Sequence, residues 1–337
     1  MRNVDRLKNL LIEILSNSDL ESLSGKLLFQ KGEKKIFLTH IPSFGPGILI
    51  SPCPKSIKEL KHIAISGLEI KAIQASVNGE SEQLYLALYC RENLERMTSP
   101  FLQFVDDLIS SFEMLDQDSF AILKAVLNKW RYFWAPLSCE VTKEWVKGLW
   151  GELNFILTFI DQFGSSIIIK WTGPEGLDHD FQGNGIGCEI KSTETVPPIM
   201  TVSNLRQLDN HFFEELYVVV FLLTQSIDGM TIDYLVGRIE EVIKNDLDLL
   251  EIFHRKLAAA GYRPYHLEQY REFSYQALQS ALWYRVDDSF PKVTYQSFTK
   301  PLDSRIKEVR YKIELANLEK SSTQSANSAL SKLCRMS

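Results

Sequence analysis

Three acidic residues and a lysine lie close together in the stretch WTGPEGLDHDFQGNGIGCEIKST, at Asp178, Asp180, Glu189 and Lys191. Carboxylate oxygens are the ligands that Mg²⁺ prefers, and a bound Mg²⁺ usually keeps waters and accepts phosphate oxygens as further ligands. A metal held in this way polarises a phosphodiester and lowers the pKa of a bound water. These residue types therefore indicate metal-dependent phosphodiester chemistry, provided that the fold brings the side chains together.

The dipeptide Asn184-Gly185 predicts how they are brought together. It favours a two-residue type I′ hairpin, because both positions adopt positive φ. With these residues as the turn, Asp180 lies opposite Glu189, and all four charged side chains share one face. The other face takes the apolar side chains of Phe181, Cys188 and Ile190. Opposed carboxylates repel one another, so Lys191 and a divalent cation would be needed to offset that repulsion.

Glu152 is a further candidate, because it lies inside the apolar stripe of a helix predicted over about 140–162. The stripe consists of Trp145, Leu149, Leu153, Ile156, Phe159 and Ile160. A carboxylate on a buried face is costly unless it is paired, hydrogen-bonded or bound to metal. A salt bridge with a nearby lysine along the helix is the alternative interpretation of Glu152.

Several of these signals have an ordinary structural alternative. The Glu-x-Lys pattern alone carries little weight, since it recurs three times before residue 72, and a solvated charged face would also explain the hairpin. His179 is expected to point away from the cluster and to be structural. Trp171 is expected in the core or at a strand end, with base stacking as the alternative. Arg206 and Gln207 are interpreted as surface residues that could instead reach a phosphate.

Composition narrows the class of protein. The 337 residues carry a net charge of −6, which argues against a protein that coats nucleic acid by charge alone. An enzyme can still confine its basic residues to one cleft. No apolar run reaches the roughly 18 residues that span a bilayer. The five cysteines are scattered without a CxxC pair, so neither a zinc site nor a disulfide framework is indicated, and a cytoplasmic location is expected.

The apolar pattern predicts an N-terminal α+β domain over 1–135, with a boundary near Pro136. Its predicted helices cover about 5–18 and 100–134, and its predicted strands cover 26–30, 35–39, 47–50, 67–75 and 83–90.

The second domain is predicted over 136–320, followed by a polar, frayed tail over 321–337. After the helix over 140–162, the predicted elements are strands at 165–171, 177–182 and 186–192, a short helix from Ser203, a buried strand at 216–223, a helix over 231–260, and extended segments at 273–297 and 304–318. This alternation predicts an α/β fold in which helices flank a mixed central sheet.

An Asp, a turn and then Glu-x-Lys on a hairpin resembles the core of the PD-(D/E)XK phosphodiesterase superfamily, the fold of many restriction endonucleases. More closely, the chain resembles a bacterial family of PD-(D/E)XK motif proteins over roughly residues 100–318. The elements that carry this resemblance are GLWGEL at 148–153, WTGP at 171–174, HDF at 179–181, GCEIKST at 187–193, SNLRQLD at 203–209, FPKV near 290 and YKIEL at 311–315. His179 stands where the superfamily's name-giving proline is found.

The resemblance implies a restriction-endonuclease-like core and an Mg²⁺-dependent DNA endonuclease, with Mn²⁺ as an alternative ion, in bacterial restriction-modification or phage defence. It implies that Asp180 and Glu189 bind the metal, that Lys191 stabilises charge or helps to activate water, and that Glu152 completes the site and its metal ligands. DNA, other proteins of a defence operon and a second copy of the chain are the expected partners. A catalytically silent DNA-binding or scaffolding subunit and an RNA nuclease are the alternatives left open.

Overall fold

A computed structural model describes residues 3–16, 23–41, 45–54, 56–61, 63, 65, 68–90, 94–115, 117–133, 141–303 and 305–335. The chain divides into two units, residues 1–137 with 263–265, and residues 138–262 with 266–337. The domain boundary predicted near 136 falls among residues 134–140, outside the described residues, and stays a prediction. Nowhere in the described ranges is a helix long and apolar enough to cross a membrane.

The first unit contains a five-stranded antiparallel sheet in the order β1-β2-β3-β5-β4. Its elements are α1 (Asn3–Ser16), β1 (Gly25–Lys31), β2 (Lys34–Ile41), β3 (Gly45–Ser51), α2 (Ile57–Lys61), β4 (Leu68–Ala75), β5 (Gln83–Cys90), α3 (Leu94–Met114) and α4 (Ser119–Phe133). All five predicted strands are therefore confirmed. The helical region predicted over 100–134 is two helices, and the Asp118 carboxylate accepts a hydrogen bond from the Phe120 N–H where the second begins.

The second unit is an α/β fold around a mixed sheet, which confirms the predicted fold class. Its elements are α5 (Lys143–Phe163), α6 (Ser166–Ile169), β6 (Phe181–Gly183), β7 (Ile186–Thr193), β8 (Ile199–Val202), β9 (Glu215–Met230), α7 (Ile232–Ile243), α8 (Leu247–Ala259), α9 (Leu267–Arg271), β10 (Tyr275–Ala277), β11 (Leu282–Arg285), β12 (Tyr311–Glu314) and α10 (Thr323–Leu333). Strand β9 runs parallel to β7 and antiparallel to β10 and β11, and β6 runs antiparallel to β7.

The two faces of β7 meet different layers. Helix α5 covers one face, where Gly151 approaches the side chains of Ile190 and Ser192. On the other face, Val218 and Val220 of β9 share a buried cluster with residues of the small sheet formed by β8 and β12. Because Glu189 and Lys191 pair with these two valines, alternation along the strand places them on the face away from α5.

Several predicted elements of the second unit are corrected. The strand predicted at 165–171 is wrong, since residues 166–169 form α6, whose short apolar run is buried. The strand predicted at 177–182 is reduced to β6. The helix predicted from Ser203 is a turn, in which the Asn204 side chain accepts hydrogen bonds from the amides of Arg206 and Gln207. The helix predicted over 231–260 is α7 and α8, because the Asp246 side chain caps a new helix.

The frayed tail predicted over 321–337 is also wrong where the structure describes it, to residue 335. Ser322 caps α10, and this helix buries an apolar stripe of Ala326, Ala329, Leu330 and Leu333. The spacing of that stripe is helical, which explains why a segment of polar composition packs on the unit.

Candidate active site

The hairpin turn has the predicted conformation. Asn184 and Gly185 adopt φ values of 50° and 78°. Strand β6 pairs with β7 in the predicted register, with Gly183 opposite Ile186 and Phe181 opposite Cys188. The turn is also fixed from outside, because Asn184 Nδ2 donates to carbonyls at the C-terminal end of α10, at 2.9 Å from Lys332 O and 2.8 Å from Arg335 O.

Asp180 lies where the pairing of β6 with β7 stops. The Ile190 N–H of β7 donates to Asp180 Oδ2 at 2.7 Å, so the carboxylate takes the place of a backbone partner. On the opposite side, the Asp180 carbonyl accepts from the amides of Thr172 and Gly173 at 2.7 and 3.0 Å. The side chain of Asp180 is therefore held against the edge of β7, next to the residue that follows Glu189.

Glu189 and Lys191 form an ion pair inside the protein. Lys191 Nζ lies 2.7 Å from Glu189 Oε1, and Glu189 retains only 2% exposure. The second oxygen of this carboxylate, Oε2, is buried and accepts no hydrogen bond from any residue that the structure describes. A buried carboxylate oxygen without a donor is unfavourable, so Oε2 marks a position where a cation or a water would be stabilising.

Glu152 reaches the same region from α5. Its Oε2 accepts a hydrogen bond of 2.6 Å from the indole N–H of Trp171. A Cβ placed on Gly173 would lie 3.0 Å from Asp180 Oδ1 and 3.4 Å from Glu152 Oε2, so both carboxylates approach one point. The glycine leaves that point open. Within the described ranges Glu152 forms no ion pair with a lysine, so its partner there is the Trp171 indole rather than a residue on its own helix.

The carboxylates perturb one another electrostatically. Burial, with the negative charge of Asp180 added to it, raises the pKa of Glu152 to about 8. Burial and the charge of Glu189 likewise raise the pKa of Asp180 to about 8. Burial also raises the pKa of Glu189, against the opposing effect of Lys191. Although burial alone would lower it, the pKa of Lys191 is raised by Glu189 and Asp180 beside it.

The chemistry of these donors fits a hard divalent cation, since all three acids offer only oxygen. In the described part of the chain, no three Asp, Glu, His or Cys side chains already form a metal-binding group. Two oxygens nevertheless remain for ligation among the described residues, because the Ile190 N–H engages Oδ2 of Asp180 rather than Oδ1, and Lys191 engages Oε1 of Glu189 and leaves Oε2 without a donor. A cation between the acids would also offset the mutual repulsion that adds to the effect of burial in raising their pKa values.

Asp178 lies outside this cluster. It was predicted opposite Lys191, but the ladder ends at Phe181, and the half-exposed Asp178 instead pairs with Arg206 at 3.7 Å. The prediction that the four charged side chains share one hairpin face is therefore wrong for Asp178.

His179 and Trp171 have the structural roles that were predicted for them. His179 is buried, packs edge-on against Phe213 and shares a hydrogen bond with the Gln207 carbonyl, and burial lowers its pKa, which favours the neutral ring. Trp171 is fully buried, so the base-stacking alternative is wrong.

Sequence reasoning missed the support beneath the site. The segment from Trp171 to Gly173 touches both Glu152 and the Asp180 backbone, and Lys256 of α8 donates to the Trp171 carbonyl. Helical spacing places Lys256 three residues after Phe253 and one before Leu257 on the buried side of α8. That position was the available signal, because a lysine among buried residues needs a partner.

A protein-family model matches most of the chain. The model of the family described as "Putative PD-(D/E)XK family member, (DUF4420)" matches residues 13–316. No curated protein and no solved structure matches the chain. The matched span includes every residue of the site described above, whereas α10 lies beyond it.

Proposed function

This chain belongs to the PD-(D/E)XK family, and from that membership we propose that it is a metal-dependent endonuclease that hydrolyses DNA phosphodiester bonds. One observation carries the proposal: Glu189 is ion-paired through one oxygen, and its other oxygen is buried and meets no donor among the described residues, beside Asp180 and Glu152. A packed structural ion pair would leave no such oxygen.

Asp180 Oδ1 and Glu189 Oε2 are the proposed metal ligands, and Glu152 is the proposed third acid. Mg²⁺ is the ion we favour, with Mn²⁺ as a substitute, because the donors are hard oxygens that leave room for water and phosphate. When bound, such an ion polarises the phosphodiester and lowers the pKa of water. The Ile190 N–H and the Trp171 indole orient two of the acids, so their free oxygens have fixed positions.

Lys191 is proposed to stabilise the negative charge that develops on the phosphate during cleavage. Its ammonium group pairs with Glu189 and opposes the effect of burial on the pKa of that carboxyl group, and it places a positive charge where negative charge develops on the phosphate. Because this stabilisation matters most in the transition state, removing the lysine should lower the rate of cleavage more than DNA binding.

We place this activity in bacterial restriction or phage defence, since the motifs at 148–153, 171–174 and 187–193 resemble a bacterial family expected beside such genes. Proteins encoded next to this chain are then its proposed partners. DNA is preferred to RNA as substrate because the resemblance is to restriction endonucleases.

Cleavage of supercoiled and linear DNA, with RNA in parallel, tests the proposal. We expect nicking with Mg²⁺ or Mn²⁺ and none with EDTA. Lys191→Ala should lower the rate by about 100-fold, with DNA affinity in Ca²⁺ little changed. Lys244→Ala is the control, because Lys244 is an exposed lysine paired with Glu241 on the surface.

Wild-type protein that cleaves neither DNA nor RNA with any divalent ion, alone or with its neighbouring gene products, would favour a silent nuclease fold that binds DNA or serves as a scaffold. Equal loss of activity in Lys191→Ala and Lys244→Ala would instead remove the assigned role of Lys191.

A further inference from the structure

Lys256 of α8 is a buried lysine, 3% exposed. Its ammonium group contacts one short segment, residues 169–175. Nζ donates to Ile169 O at 3.1 Å and to Trp171 O, and it pairs with Glu175 Oε1 at 3.3 Å. An ammonium group has three donors, so all of them are used. These contacts fix the chain from the end of α6 through the turn at Gly173–Glu175.

The same segment holds two parts of the candidate site. The Trp171 indole donates to Glu152. The amides of Thr172 and Gly173 donate to the carbonyl of Asp180. A shift of this segment would therefore move Glu152 and Asp180 together. Lys256 itself touches neither carboxylate in the contacts described.

We propose that Lys256 is a positioning residue, which anchors residues 171–173 so that Glu152 and Asp180 are held at the distance a divalent cation requires. The inference rests on the proposed function, since it assigns the anchored acids to a metal site. A position needed only for packing would favour an apolar side chain, because burying an ammonium group requires that every donor be satisfied. A lysine at this position is instead explained by its contacts with residues 169–175, which hold that segment in place.

Lys256→Met tests this role, because methionine keeps the length and packing of the side chain but removes the donors. Residues that orient metal ligands typically contribute about 10- to 100-fold to metal affinity. We therefore expect Mn²⁺, titrated alone and followed by calorimetry, to bind at least about tenfold more weakly to the variant. Leu249→Ala is the matched control, since Leu249 is buried on the same helix and has no donor for the segment.

Amide hydrogen exchange provides a second measurement that needs no metal. In Lys256→Met the amides of Thr172 and Gly173 should exchange faster than in Leu249→Ala, compared at the same interval below each melting temperature. A general loss of stability would raise exchange equally in the two variants. Faster exchange confined to Lys256→Met supports the anchor.

Three results overturn the inference. These are wild-type Mn²⁺ affinity in Lys256→Met, an equal loss in Leu249→Ala, and unchanged protection at residues 172–173. If wild-type protein binds no Mn²⁺, the proposed function fails, and exchange alone decides whether Lys256 is an anchor. If Lys256→Met does not fold, Glu175→Gln is tested instead, because it removes the charge that pairs with Lys256. This variant should also bind Mn²⁺ more weakly than the wild type, and an unchanged affinity overturns the inference.

Discussion

Replacing Glu152 by glutamine removes a carboxylate that the metal-free fold holds at a cost. The pKa of Glu152 is raised from 4.5 to about 8. A carboxyl group whose pKa is higher in the folded protein lowers the free energy of unfolding as pH rises from 4.5 through about 8. If Glu152 titrated alone, the loss would be roughly 5 kcal/mol at 1.36 kcal/mol for each pKa unit. Because Asp180 shares the repulsion, we expect about 2 kcal/mol to be measurable.

Urea unfolding between pH 5 and pH 9 in EDTA measures this effect. Near pH 5, Glu152→Gln should have nearly the wild-type free energy of unfolding, since glutamine resembles the protonated acid and can accept the Trp171 hydrogen bond. At pH 9 the variant should be more stable by about 2 kcal/mol. Asp161→Asn is the control on the same helix, because Asp161 is exposed. Destabilisation of Glu152→Gln at every pH, largest at pH 9, would refute this reasoning and identify Glu152 as a structural partner.

Three further predictions concern the frame of the site and its metal. Gly151→Ala should lower the free energy of unfolding by about 1–3 kcal/mol, because its Cβ would clash with Ser192. In the same urea assay, Gly148→Ala should raise the free energy of unfolding slightly, because a Cβ at that position meets nothing within 4 Å. Asn184→Gly keeps the positive φ of the turn but removes the hydrogen bonds to α10, so the melting temperature should fall. An unchanged melting temperature would show that these hydrogen bonds do not stabilise the turn. Mn²⁺ should bind more tightly at pH 9 than at pH 6 by calorimetry, since the raised pKa values mean that protons compete for the acids; an affinity independent of pH would exclude those carboxyls as ligands.

The hairpin turn, its register and its second strand could be predicted because local rules determine them. Asn184-Gly185 specifies the turn and its register, and the three consecutive valines within the apolar run from Leu216 to Leu223 favour a buried strand. Burial of Glu152 followed from its place in the stripe of α5. These features depend on neighbours in sequence or on one helical period, which a sequence displays directly.

The remaining features depend on contacts between distant residues. The apolar run of α6 fits a short strand or a helical turn equally well, and its packing decides between them. The end of β6 is set by the Asp180 carboxylate, which takes the Ile190 amide, so Asp178 never reaches Lys191. Lys256 lies 85 residues from Trp171 in the chain, and no spacing rule connects them.

The helix α10 belongs to a third kind of case. Its cap at Ser322 and the spacing of Ala326, Ala329, Leu330 and Leu333 were visible in the sequence. The tail was nevertheless predicted to be frayed because its composition is polar, whereas a narrow apolar stripe is enough to pack a short helix.

Anomalous scattering from crystals of the protein soaked with Mn²⁺ would show directly whether Asp180 and Glu189 bind a metal, because it locates the ion without relying on activity. If these acids bind the metal, an anomalous peak lies within coordination distance of both Asp180 and Glu189, on the side toward Glu152, and is lost in Glu189→Gln. A peak elsewhere, or none at saturating Mn²⁺ with the Glu189–Lys191 ion pair unchanged, would contradict this assignment.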